Sequence, residues 1–181
     1  MNREDIVYKI NKNGIIGVEL GVAEGEFSEK LLKTQKFKYL YSVDRYTGEG
    51  GVTEKTKDLA HDVEQYVRAL KRLEKYKESN TILRMNFEEA IKLFEDETFD
   101  FIYIDGYAHT GENEGKTLHE WWPKLKKGGL FCGDDYHKDW PKVIYHVDEF
   151  CKKNGVEMKI HDYNNKDIIY SKYPSWYVIK K

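Results

Sequence analysis

Eleven residues near the start of the chain, Val18-Glu19-Leu20-Gly21-Val22-Ala23-Glu24-Gly25-Glu26-Phe27-Ser28, constrain its fold more than any other stretch, because of their flanks. The apolar run Ile15 to Leu20 enters the segment, and Phe27, Leu31 and Leu32 leave it at helical spacing. A second apolar run, Lys38-Tyr39-Leu40-Tyr41-Ser42-Val43, follows and closes on Asp44. A strand, a glycine turn, a helix and a second strand ending in a carboxylate make the front half of a nucleoside-binding α/β unit. Gly21 and Gly25 let the backbone approach a ligand, and the Asp44 carboxylate has the capacity to accept both hydroxyls of a ribose.

The glycine spacing separates two kinds of cofactor. A dinucleotide fingerprint has the form G-x-G-x-x-G, with a helix N-terminus facing a pyrophosphate. Here the form is E-x-G-x-x-x-G-x-x-S, without the tight glycine pair. Asp44 falls about twenty residues beyond the turn, where such a site requires its acid. On these residues the chain resembles the class I S-adenosylmethionine-dependent methyltransferases, whose first motif has this form. The resemblance implies that Glu19, Gly21, Gly25, Ser28 and Asp44 bind the cofactor. Glu19 would accept from the methionine amino group, and Ser28 or the Gly25 backbone would hold its carboxylate at a helix N-terminus. Asn86 stands where these enzymes resemble Asp or Asn near the adenine, with Phe87 on the ring; an ordinary helix N-cap is the rival role for Asn86.

The rest of the chain alternates in the same way. A charged helix is expected over about 53–76, with Leu59, Val63, Tyr66, Val67, Leu70 and Leu73 on one face. Strands are expected at 81–85, 99–104 and 130–132, the last after the Gly128-Gly129 turn, and helices at 87–94, 112–122 and 141–153. Lys124-Leu125-Lys126-Lys127 reads as a solvated helix end. Two alternating strands, 156–160 and 176–179, close the chain. This order predicts an α/β fold, mostly parallel with an antiparallel C-terminal edge and helices on both faces, and the resemblance implies a Rossmann-like seven-stranded methyltransferase sheet. One domain spans 1–181, with a short N-terminal segment (1–14) ahead of the core (15–181). No separate substrate domain is expected, so loops, that N-terminal segment or a second subunit must build the acceptor pocket, and a homodimer is one way to do so.

Composition narrows the partners. A net charge of -2 gives no general attraction to nucleic acid or anionic lipid. No apolar run approaches the ~20 residues of a membrane span, and the start lacks the apolar core of a signal peptide. Cys132 and Cys151 form no C-x-x-C pair, which suggests a reducing compartment, the cytoplasm by default.

Three acids fall at strand ends beyond the cofactor half. Asp105 ends Phe101-Ile102-Tyr103-Ile104, and Asp134 and Asp135 follow Leu130-Phe131-Cys132-Gly133. Like charges gathered at one sheet edge need a counterion or a proton. A hard divalent cation such as Mg²⁺ supplies one. Ile104-Asp105-Gly106 with Gly129 to Tyr136 is similar to the macrocin O-methyltransferase family, which methylates sugar hydroxyls. That resemblance implies Asp105, Asp134 and Asp135 as metal ligands. Asp105 also borders the cofactor half. The sequence departs from the family at Asp105-Gly106-Tyr107-Ala108-His109, where His109 is the nearest group able to take a proton near neutral pH. His137 is a second candidate. Tyr136, Trp140 and Trp122 line an acceptor pocket or belong to the core. The expectation is an S-adenosylmethionine-dependent O-methyltransferase, Mg²⁺-assisted, with a small diol as acceptor. Its rivals are metal-independent transfer to nitrogen or RNA, and a non-catalytic cofactor-binding module.

Overall fold

The computed structural model describes residues 1–47, 59–105, 113–163 and 172–181. Its strands are β1 (Ile15–Leu20), β2 (Phe37–Asp44), β3 (Asn80–Arg84), β4 (Phe99–Ile104), β5 (Leu125–Gly133), β6 (Lys159–His161) and β7 (Ser175–Ile179). The α-helices are α1 (Glu26–Lys33), α2 (Leu59–Leu73), α3 (Phe87–Ala90), α4 (Lys116–Trp121) and α5 (Pro141–Asn154), and a 3-10 helix, Arg3–Lys9, precedes them. The strands form one sheet in the order β3-β2-β1-β4-β5-β7-β6. The first five run parallel, while β7 is antiparallel to both β5 and β6. This is the sheet the sequence predicts.

Burial on both faces explains why the central strands read as continuous apolar runs. All six residues of β4 are buried. In β1, Val18 and Leu20 join one core cluster, with Ile102, Phe131 and Trp176. Ile15 joins the other, with Phe27, Leu31 and Phe101. The 3-10 helix docks on this second side, contributing Ile6 and Val7.

The chain leaves β1 toward β2 and β3, then returns to lay β4 on the other side of β1. The β1/β4 boundary is therefore the topological switch point, where open α/β sheets bind ligands at the carboxyl ends of their strands. Backbone hydrogen bonds carry the ladder past the strand ends. Gly21 N–H donates to Val43 O at 2.8 Å, Asp105 N–H to Leu20 O at 2.8 Å, and Asp134 N–H to Ile104 O at 3.1 Å.

Three local expectations need correction. Lys124 does end a 3-10 helix, Trp122–Lys124, but β5 starts at Leu125, so Leu125 to Lys127 belong to a strand and not to a helix end. Leu125 pairs with Phe99 and Leu130 with Phe101, an irregularity that takes up the intervening residues. Leu125 is fully buried, and Lys126 reaches Asp100 at 3.3 Å. Along α2 the expected face is covered in part: Leu73 is buried and Tyr66 packs on Tyr46, while Val63, Val67 and Leu70 are each about two-fifths exposed. Among the described side chains of α2, Ala69 and Leu73 are the buried ones, packed where Gly25 leaves room. The expected 112–122 helix begins as a 3-10 turn with positive φ at Glu114 and Gly115, and α4 starts only at Lys116. In the tail, β6 is confined to Lys159–His161, shorter than its alternating pattern.

Candidate cofactor and transfer site

The turn after β1 needs unusual backbone. Gly21 has φ 94° and Gly25 has φ 74°, the second as the N-cap of α1 in the left-handed region that favours glycine. Ala23 between them also has positive φ, 47°. This shape turns two amides onto one carboxylate. Asp44 Oδ2 accepts from Val22 N–H at 2.8 Å and Ala23 N–H at 2.9 Å. Among the described residues Oδ1 has one contact, from Tyr46 N–H at 3.4 Å, which leaves acceptor capacity for a ligand hydroxyl. Burial pushes the Asp44 pKa up, while these amides pull it down. Tyr46, almost fully buried, closes the turn by donating its hydroxyl to Ala23 O at 2.8 Å. No periodicity or motif in the sequence marks Tyr46.

Glu19 points into the wall between β1 and α1. It is 1% exposed, and burial raises its pKa to about 8. A chain of donors ends on it. The Asn80 amide donates to Ser42 Oγ at 2.9 Å, Ser42 and Ser28 hydroxyls lie 2.9 Å apart, and the Ser28 hydroxyl donates to Glu19. Ser28 is thus brought to Glu19 in a fully buried position, where it orients that carboxyl.

Asn86 caps α3, with its backbone N–H donating to Glu89 at 3.3 Å in a capping box. Its side chain is exposed, and Phe87 beside it is half-buried against the first core cluster.

The acidic edge holds a residue that sequence reasoning missed. Asp105 and Asp134 do converge, and the charge between them is Arg3, from the N-terminal 3-10 helix. The Arg3 guanidinium is hydrogen-bonded to Asp105 and lies 3.1 Å from Asp134 Oδ2. Its Nε donates to Tyr103 Oη at 2.9 Å. Asp134 Oδ1 accepts from Ser175 at 3.3 Å and Tyr163 at 3.4 Å. One guanidinium serves two carboxylates. Burial and the neighbouring Asp105 push Asp134 up to about 8, against the pull of Arg3. Asp135, half-buried, follows with φ 59°.

This donor set does not fit a divalent metal. Among the described residues no group of three His, Cys, Asp or Glu side chains is placed to hold one. An ion between Asp105 and Asp134 would also face Arg3. At about 4 Å and an effective dielectric near 20, that repulsion is on the order of 8 kcal/mol.

The remaining candidates divide between core and rim. His109 lies outside the described residues. His137 accepts from Asp139 N–H at Nδ1 (3.2 Å) and stacks on Tyr173. The Tyr136 hydroxyl donates to Asp148 at 2.7 Å, and Trp122 packs edge-on against Phe131 and Phe150. Trp140 is half-buried against the same cluster.

Comparison with known proteins identifies the family and the fold. A family profile described as a methyltransferase domain matches residues 18–136. No curated protein shows significant sequence similarity. The fold is similar to a precorrin-6y C5,15-methyltransferase from Geobacter metallireducens (TM-score 0.65, 12% identity, 99% of this chain and 86% of that one). It is also similar to a SAM-dependent O-methyltransferase from Thermotoga maritima (TM-score 0.63, 12% identity, 97% and 63%). A third similar structure comes from Streptococcus mutans and was solved with S-adenosylhomocysteine (TM-score 0.62, 14% identity, 98% and 95%). At these identities the likeness is one of fold.

Proposed function

The chain belongs to the methyltransferase-domain family, and we propose that it methylates a hydroxyl of a small acceptor, such as a sugar or a catechol-like diol, from S-adenosylmethionine. One observation carries the reading. A glycine turn locked onto Asp44 and a half-buried carboxylate, Asp105, stand on either side of the β1/β4 switch point.

In this reading Asp44 Oδ1 takes a ribose hydroxyl, and the turn from Gly21 to Gly25 gives the ligand close approach to the backbone. Glu19, held by Ser28, meets the amino-acid end, while Asn86 and Phe87 border the base. Bound, the cofactor supplies an electrophilic methyl group. The protein's own task is to align an acceptor oxygen, exclude water and take a proton. Asp105 orients the acceptor hydroxyl, and His109 is the proposed base. Magnesium plays no part, since Asp105 and Asp134 already share Arg3. A small acceptor in place of nucleic acid suits the net charge of -2. No described helix is long and apolar enough to cross a membrane, and the cytoplasm is the proposed location. A homodimer, with the second subunit contributing to the acceptor pocket, is the proposed assembly.

Calorimetric titration of S-adenosylhomocysteine tests the cofactor half, and labelled methyl transfer across sugars and catechols tests the acceptor. Micromolar binding with product on a hydroxyl supports the proposal. Binding without product on any hydroxyl acceptor overturns the O-methylation, and no binding overturns the whole reading.

A further inference from the structure

We propose that Arg3 is the resident cation of the acidic site, holding the place between Asp105 and Asp134 permanently so that this chain works without a divalent ion. The inference deepens the proposed function, and depends on it only in taking the Asp105 edge as the transfer site.

Four observations converge. Arg3 is buried, and its guanidinium engages both carboxylates. A ring of polar contacts surrounds it. Arg3 Nε donates to Tyr103, the Tyr103 and Ser175 hydroxyls lie 2.6 Å apart, Ser175 donates to Asp134, and Asp134 returns to Arg3. Both oxygens of Asp134 are thereby occupied. The guanidinium carbon lies over the Phe27 ring, 4.0 Å from its centroid, and 5.0 Å from the centroid of Tyr103, a cation–π seat that an ion with a hydration shell could not share.

The segment that carries Arg3 is also fixed. Ile6 and Val7 are fully buried with Phe27 and Leu31. His161 Nε2 lies 3.0 Å from the Asn2 carbonyl, and Lys36 Nζ donates to Ile10 O at 3.0 Å. Arginine stays charged at every working pH, and its fork matches carboxylates on two sides. Arg3 is therefore a positioning residue. It fixes Asp105 and Asp134 without touching the acceptor, and no chelator can remove it.

The test is Mn²⁺ titration followed by electron paramagnetic resonance, which counts free ion and needs neither acceptor nor turnover. Wild type should leave millimolar Mn²⁺ free. Folded Arg3→Met, which keeps the apolar contact with Phe27, should bind at least about tenfold more tightly, and Arg3→Met/Asp134→Asn should lose the gain. Stoichiometric binding by wild type, abolished in Asp105→Asn, overturns the proposal. So does a folded Arg3→Met variant that binds no more tightly than wild type. Should Arg3→Met fail to fold, the wild-type and Asp105→Asn titrations decide alone. A protein that lacks methyl transfer yet leaves Mn²⁺ free upholds the resident cation while overturning the proposed function, so the two failures are distinguishable.

Discussion

Ser28 donates its hydroxyl to Glu19 in a fully buried position nine residues along the chain. Burial raises the Glu19 pKa from 4.5 to about 8, with the Ser28 bond opposing. A carboxyl whose folded pKa is raised adds stability while protonated, in full below about 4.5, and loses it as pH rises through about 8. Glu19→Gln keeps the shape and cannot ionise. Its thermal midpoint should match wild type near pH 5 and exceed it at pH 9 by roughly 3–8 °C, from about 1–3 kcal/mol. Parallel melting curves across that range would show that Glu19 is not held neutral.

Asp44 combines two roles, and two variants should separate them. Its Oδ2 secures Val22 and Ala23, so Asp44→Ala leaves two amides without their acceptor and should cost about 1–3 kcal/mol in urea unfolding. Asp44→Asn retains one carbonyl oxygen for those amides but loses the charge and the second acceptor. It should weaken S-adenosylhomocysteine by about tenfold or more while costing less stability. Equal cofactor affinity in Asp44→Asn and wild type would remove the ribose from Asp44.

Local signals account for most of what the sequence disclosed. Observed β1 and β4 coincide with the expected strands, Ile15–Leu20 and Phe99–Ile104, because both runs are buried on two faces and stop at turn or acidic residues. Gly21, Gly25, Asp44, Asp105 and Asp134 were legible because each sits at a strand end or turn. Arg3 was not. It reaches Asp105 across 102 residues of sequence, and no periodicity or spacing announces such a pair. The two acids did declare the need for positive charge, but their spacing could not say whether a metal or a side chain supplied it. Tyr103, Tyr163 and Ser175 share that obscurity. The exposure of Val63, Val67 and Leu70 on α2 was not legible either, because apolar spacing reports a helix face without saying what covers it.

Gly25 and Gly128 make a controlled pair. Both have φ near 75°, so alanine at either should cost about 1 kcal/mol for the left-handed backbone. At Gly128 an added Cβ meets nothing within 4 Å, whereas at Gly25 it meets Leu73 at 3.2 Å and Ala69 at 3.4 Å. Gly25→Ala should therefore destabilise more in urea unfolding. It should also weaken S-adenosylhomocysteine several-fold, because α1 and its turn must shift away from α2. Gly128→Ala should leave that affinity unchanged. Equal stability losses would mean that the α2 contact yields freely.

The opposite edge of the sheet supplies a stability site remote from the chemistry. Asp100, near the start of β4, is 6% exposed. It accepts from Ile16 N–H at 3.0 Å, Lys12 at 2.8 Å and Lys126 at 3.3 Å. Burial alone would raise its pKa, yet the Ile16 amide and the two lysines outweigh it and hold the group below the usual carboxylate range. A depressed folded pKa contributes stability above the ordinary carboxylate value, lost as pH falls through the folded one. Asp100→Asn should thus cost about 1–3 kcal/mol at pH 7, and the gap should close in acid. Because Asp100 lies at the start of β4 and Asp105 just past its end, S-adenosylhomocysteine affinity should be unchanged at neutral pH. A Kd that moves with Asp100→Asn would mean that the two ends of the sheet are coupled, and that stability and binding cannot be assigned to separate edges.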